Sequence, residues 1–230
     1  MIKVTYLGHS GFLVETDREY FLFDYYKGVF PAINEKEKMY VFVSHAHYDH
    51  YGKSIYNLRK TFEEVHYILS SDLPPESGDD VTVIEPCEEI TVGECRIRTL
   101  RSNDQGVAFL VKDREGHTFY HAGDLNWWHW EGEPDEYNTG MRRSYQSEIN
   151  KLQPEKIDVA FVPVDPRLGE QYCWGIDCFM KRTRTKYVFP MHFWGNYSVC
   201  DRLMLEECTR DYRDRIVKIE REGQQFLLEE

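Results

Sequence analysis

The chain lacks the features that would mark several common classes. Its six cysteines (Cys87, Cys95, Cys173, Cys178, Cys200 and Cys208) contain no C-x-x-C, and the nearest pair has no histidine at zinc-finger spacing. That excludes a zinc-finger module and reads as reduced, partly buried thiols of a cytoplasmic protein rather than a disulfide framework. No apolar run approaches the ~20 residues that span a bilayer. The opening Met1-Ile2-Lys3-Val4-Thr5-Tyr6-Leu7 alternates like a strand and lacks a signal-peptide core, so no targeting segment and no membrane partner is expected. Positive charge is scarce: 28 Lys and Arg stand against 40 Asp and Glu, a formal net charge of -12. A broad nucleic-acid groove is therefore not expected, although a local cationic pocket for a small phosphorylated substrate stays open. There is no internal repeat, low-complexity tract or Gly/Ser linker, so residues 1–230 are expected to form one domain around a full core.

What is present is globular: 41% hydrophobic and 30% charged residues, with a mean hydropathy of -0.61. Short apolar, β-favouring runs predict strands at 3–7, 11–15, 20–23 and 40–44, a helix over 53–62, and a strand at 65–69. Strands follow at 81–85, 89–92, 95–101, 107–112 and 118–121, the last hairpin closed by Asp113-Arg114-Glu115-Gly116. Residues 126–143 are rich in Trp, Gly, Pro, Asp and Asn and read as a long irregular loop. The pattern then alternates: helix 144–152, strand 157–164, helix 175–183, strand 187–191, helix 199–212 and two short terminal strands. Strand runs followed by strand–helix alternation indicate an α/β protein with both sheet types. The charged run 35–38 reads as a solvated turn or helix end.

One segment carries chemistry. The core-like run Val41-Phe42-Val43-Ser44 is followed at once by His45-Ala46-His47-Tyr48-Asp49-His50, placing three of nine histidines within six positions. Spacing of two lets His45 and His47 point the same way from an extended backbone, while Asp49 and His50 approach from the start of the next element. Neutral imidazole and carboxylate are ligands for divalent zinc, iron and manganese. Four such groups at one junction suffice for two adjacent metals, and a merely His-rich solvated loop is the bland alternative.

Here the sequence resembles the metallo-β-lactamase superfamily. His45-Ala46-His47-Tyr48-Asp49-His50 is similar to its metal motif, and Tyr6-Leu7-Gly8-His9-Ser10-Gly11 with Phe21-Leu22-Phe23-Asp24 resembles its first strands and acidic turn. Tyr120-His121-Ala122-Gly123-Asp124 resembles the strand ending in the metal-bridging aspartate, and Phe189-Pro190-Met191-His192 the late strand that supplies the last histidine. The subgroup it looks closest to is the small hydrolases that include ascorbate-6-phosphate lactonase. The resemblance implies a four-layer αββα sandwich of two mixed β-sheets. It also implies two divalent metal ions (zinc, manganese or iron) and hydrolysis by a metal-activated hydroxide.

On that resemblance His45 and His47 belong to the first ion, Asp49, His50 and His192 to the second, and Asp124 bridges, with Asp49 also orienting the nucleophile as the catalytic residue. The usual mid-chain histidine of the first site is missing. Asp104, the only carboxylate of Leu100-Arg101-Ser102-Asn103-Asp104-Gln105-Gly106, is favoured as its replacement. The alternatives are that His121 swings in or that the first site is weakly held. His9, Trp127, Arg167 and Trp194 are candidates for contacting a small-molecule substrate. Against this stand loop anchoring for the tryptophans and pairing with a surface acid such as Asp165 for Arg167. His66, His117 and His129 read as structural or loop residues. The expected activity is hydrolysis of an ester, lactone or phosphoester. The alternatives are a phosphodiesterase or nuclease of the same fold and a metal-binding protein without turnover.

Overall fold

In the first half of the sequence, strands that are apolar at every position, not at alternate ones, demand a sheet buried on both faces. The computed structural model describes residues 1–33 and 38–229 and divides into two compact units, Met1–Glu85 with Arg221–Glu230, and Pro86–Glu220. Most of the charged run, 35–37, lies outside the described residues.

The first unit is a seven-stranded mixed sheet. Its strands are β1 (Ile2–Gly8), β2 (Gly11–Glu15), β3 (Glu19–Phe23), β4 (Lys38–Val43), β5 (Val65–Ser70), β6 (Val81–Ile84) and β13 (Gln225–Leu228), in the order β13-β1-β2-β3-β4-β5-β6. Pairing is antiparallel from β13 to β3 and parallel from β3 to β6. In-register aromatic pairs fix β3 against β4, with Phe21 stacked on Tyr40 at 5.5 Å and Phe23 on Phe42 at 4.8 Å. One face is closed by Ile55, Phe62 and Leu73 over Leu22, Val41, Val43 and Leu69. The expected helix at 53–62 is instead a 3-10 segment, Lys53–Lys60, in which Ile55 alone is buried. One buried side chain gives a regular α-helix too little to pack on.

The second unit is a six-stranded mixed sheet in the order β12-β11-β10-β9-β8-β7. It comprises β7 (Glu89–Val92), β8 (Cys95–Arg101), β9 (Val107–Lys112), β10 (Thr118–His121), β11 (Lys156–Pro163) and β12 (Arg184–Met191). Strands β7 to β10 pair antiparallel; β10, β11 and β12 pair parallel. Helix α1 (Asp135–Asn150) starts nine residues earlier than the sequence pattern places it. Asp135 and Glu136 favour its N-terminus, and the Asn138 amide bonds both Trp130 N and Trp130 O (3.0 and 2.9 Å). The irregular stretch is therefore confined to the residues before Asp135.

Helix α2 (Trp174–Arg182) lies on β11 and β12, with Phe179 stacked on Tyr120 at 5.0 Å. Helix α3 (Ser198–Leu205) is shorter than expected. Its end is closed by Thr209 Oγ1, which donates to Leu203 O and Glu206 O, and by the Arg213 guanidinium on Glu206 O. Two 3-10 turns, Glu207–Thr209 and Arg213–Arg215, replace the rest of the expected helix. Of the two expected terminal strands β13 is formed, and the other is a single bridge between Val188 and Ile216.

Candidate metal centre

Parallel strands deliver their carboxyl ends to the same edge of a sheet, where the crevice for a ligand forms. In the first unit the ends of β3, β4 and β5 carry Asp24, the His45–His50 segment and Asp72. His45 and His50 are fully buried, and His47 is exposed. His45 Nε2 faces His47 Nδ1 at 3.0 Å, while His45 Nδ1 meets Ser44 Oγ at 2.9 Å. Two ring nitrogens this close share a proton between lone pairs, a place that a cation suits. His9, at φ 51° after a bulge in β1, brings Nε2 to 3.2 Å from Asp49 Oδ2. His9, Asp49 and His50 each offer a ligand atom within 4.8 Å of the others. Burial alone would raise the Asp49 carboxyl, but its bond to His9 holds it at about 2.

Each buried histidine that the family resemblance implies for the second ion is oriented by a buried carboxylate. Asp24 Oδ2 accepts from His50 Nδ1 at 2.7 Å, and the same carboxylate takes Ser44 N–H and Ser44 Oγ–H (2.8 and 2.6 Å). In the second unit Asp165 Oδ2 accepts from His192 Nδ1 at 3.0 Å, and His192 Nε2 lies 3.4 Å from Asp124 Oδ1. A proton held on Nδ1 leaves the lone pair on Nε2, the tautomer that a metal ligand needs. Register explains both pairs. Asp24 N–H bonds Phe42 O beside the β3–β4 pair Phe23 and Phe42, and Val164 N–H bonds Met191 O beside the β11–β12 pair Pro163 and Met191. Five described non-glycine residues have positive φ, and four of them are His9, Asp24, His192 and Trp194. In each unit, then, the left-handed backbone falls on a candidate ligand and its neighbour.

Comparison with known proteins settles the family. The description "Beta-lactamase superfamily domain" matches residues 3–192. The chain belongs to the metallo-β-lactamase superfamily of hydrolases. It is 26% identical over 209 residues to a UPF0173 metal-dependent hydrolase of Nanoarchaeum equitans, covering 84% of each chain. Among solved structures, the metallo hydrolase Igni18 of Ignicoccus hospitalis matches with a TM-score of 0.67 at 17% identity over 99% of each chain. The metallo-β-lactamase fold protein YhfI of Bacillus subtilis matches at 0.64 and 16%, covering 99% of this chain and all of its own. At these identities the structural likeness is one of fold.

Other expected site residues of this metallo-β-lactamase superfamily hydrolase fall as follows. Arg167 pairs with Asp165 through Nε and Nη2 (2.9 and 2.6 Å), but Asp165 is fully buried and not the surface acid that the sequence suggests. Burial would raise the Asp165 carboxyl; bonds from His192 and Arg167 bring it down to about 2. The exposed guanidinium lies over Trp194 and Trp130, at 4.7 and 5.6 Å. Trp128, not Trp127, is the buried tryptophan: its Nε1 donates to Asp124 O at 2.9 Å and its ring meets His192 edge-on at 5.6 Å. Trp127 and His129 pack on Trp174. Trp194 is 43% exposed, 5.6 Å from the His192 ring.

Asp104 is exposed in the β8–β9 turn and joins none of the groups of three or more clustered donors among the described residues. Its neighbour Asn103 ties that turn to the segment after Asp124, donating to Asn126 O and accepting from Asn126 N (2.8 and 3.2 Å). His121 is buried, with Nδ1 accepting the Gly123 N–H at 3.1 Å. His66 and His117 pair with Glu64 and Asp113 at their own strand ends. Sequence reasoning gave Asp24 and Asp165 no orienting role and did not raise Asp72. The signal available was an aspartate placed directly after a fully apolar strand, in Phe21-Leu22-Phe23-Asp24 and Val162-Pro163-Val164-Asp165.

Proposed function

We infer that the chain is a dinuclear metal-dependent hydrolase acting on an ester, lactone or phosphoester of a small molecule. The observation that carries the reading is the pair of buried histidines, His50 and His192, each with Nδ1 on a buried aspartate and Nε2 left as the ligand nitrogen. Imidazoles and carboxylates without a thiolate are a donor set that zinc, manganese and iron all accept. In this reading His45 and His47 would hold the first ion and Asp49, His50 and His192 the second, with Asp124 available to both. Bound divalent ions of this kind acidify water and stabilise developing negative charge.

The protein's own part is positioning and proton handling. Asp49, its carboxyl held below the usual carboxylate range by the bond from His9, is ionised throughout the neutral range and available to orient the attacking water. Asp24 and Asp165 keep His50 and His192 in one tautomer throughout a turnover. His9 beside Asp49, together with Trp127, Arg167 and Trp194, is assigned to substrate contact; a guanidinium stacked on indoles suits a carboxylate or phosphate. The acidic balance of the chain weighs against a nuclease. The exposed position of Asp104 supports, as a second reading, metal binding without turnover.

The test is a panel of aryl esters, lactones and phosphodiesters offered to metal-reconstituted protein and to Asp49→Ala. Turnover of one class by wild type, reduced by orders of magnitude in the variant at unchanged folding, is the expected result. Equal turnover by both proteins would remove Asp49 from the mechanism, and no turnover by either would favour the second reading.

A further inference from the structure

The loop that carries His45 and His47 is gripped from both neighbouring strands. On the β3 side Asp24 holds Ser44. On the β5 side Asp72 Oδ2 accepts the N–H of Ala46, the residue between the two imidazoles, at 3.0 Å. The parallel register accounts for this. Val43 pairs with Leu69, so Asp72, three residues beyond Leu69, arrives opposite Ala46, three beyond Val43. The other oxygen, Asp72 Oδ1, is buried and has no hydrogen-bond partner among the described residues. A buried carboxylate oxygen without a donor is costly unless positive charge comes near it. Asp72 nevertheless belongs to none of the groups of clustered donor atoms among the described residues, which separates it from the ligands themselves.

We propose that Asp72 is a positioning residue for the first metal ion: it fixes the peptide between the two ligand imidazoles and leaves a carboxylate oxygen without a donor on that side of the loop. The bond to Ala46 restrains the backbone on both sides of that peptide, keeping the His45 and His47 rings at 4.6 Å between centroids. The unmatched oxygen then favours a cation at the paired nitrogens over the shared proton that joins them in its absence. The proposal rests on the reading that His45 and His47 hold an ion.

The experiment uses metal-free wild type, Asp72→Ala and Asp72→Asn, each titrated with cobalt(II) against a chromophoric chelator. The cobalt d–d spectrum and the melting temperature of each metal-free protein are recorded alongside. Asp72→Ala is expected to bind one of its cobalt ions about tenfold or more less tightly than wild type, with an altered spectrum, while the other ion is unchanged. Asp72→Asn retains an acceptor for the Ala46 N–H, so it should restore the spectrum and recover part of the affinity, the remaining deficit reporting the lost charge. Two ions bound by Asp72→Ala with wild-type affinity and spectrum would overturn the proposal. So would an Asp72→Asn variant as impaired as Asp72→Ala, because the hold on Ala46 would then not be what matters. Wild type that takes up no cobalt at all would instead sink the metal reading, and this proposal with it.

Discussion

Replacing Asp24 separates folding from metal binding in a way that the geometry makes quantitative. Its carboxylate accepts buried hydrogen bonds from Ser44 N, Ser44 Oγ and His50 Nδ1. In Asp24→Ala the Ser44 hydroxyl can turn to His45 Nδ1, which already lies 2.9 Å away. Ser44 N–H and His50 Nδ1–H lose the acceptor they share, and each buried donor left unpaired costs roughly 1–3 kcal/mol. A loss of about 4 kcal/mol follows, and at ~2–4 °C per kcal/mol for a chain of this size the melting temperature should fall by about 8–16 °C. Asp24→Asn behaves differently. Its carbonyl can still accept Ser44 N–H, but its amide presents N–H to His50 Nδ1 and drives that imidazole into the Nε2–H tautomer. Stability then falls by only about 1–2 kcal/mol, whereas affinity for the ion on His50 drops by about 10–100-fold. Differential scanning calorimetry of the metal-free proteins and chelator competition on the loaded ones read the two effects apart. An Asp24→Ala protein that melts with wild type, or an Asp24→Asn protein with wild-type metal affinity, would refute the reasoning.

The same logic applies at Asp165, where Asp165→Asn should weaken the ion on His192 by about tenfold, measured by chelator competition; unchanged affinity would show that the aspartate serves only Arg167. Gly28 has φ 100°, and an added Cβ would run into the Leu7 carbonyl oxygen. Gly28→Ala should therefore lower the stability by more than about 1 kcal/mol, read from the urea midpoint. Cys87 is exposed and Cys208 half-buried, while Cys95, Cys173, Cys178 and Cys200 are buried, and burial pushes Cys173 up to about 12 and Cys200 to about 11. Titration of the native protein with an aromatic disulfide at pH 8 should label Cys87 quickly, Cys208 slowly and the other four after denaturation; fast native labelling of the buried thiols would contradict these positions.

Strands were legible because their burial is written into consecutive residues: every position of Glu19–Phe23 is buried, and five of six in Lys38–Val43. Helix α1 was hidden because its buried positions, Asn138, Tyr145, Glu148 and Ile149, are half polar and so leave no apolar stripe. The His45–His50 ligand motif is local and could be read directly. The aspartates that orient it are not local: Asp24 reaches Ser44 across 20 residues, Asp72 reaches Ala46 across 26, and Asp165 reaches His192 across 27. Their role depends on which strands are parallel neighbours, and that is a property of topology. The two sheets share one plan, in which antiparallel strands give way to three or more parallel ones whose ends bear an aspartate beside a histidine. No repeat in the sequence announces it, since the plan is kept by burial and register and not by residue identity.

The central claim is tested most directly by counting metal ions per chain, by elemental analysis, in wild type, His47→Ala and His192→Ala after reconstitution with zinc or manganese. The account predicts about two ions in wild type and the loss of one in each variant. Wild type that holds no metal would contradict it, and so would variants that keep the full complement.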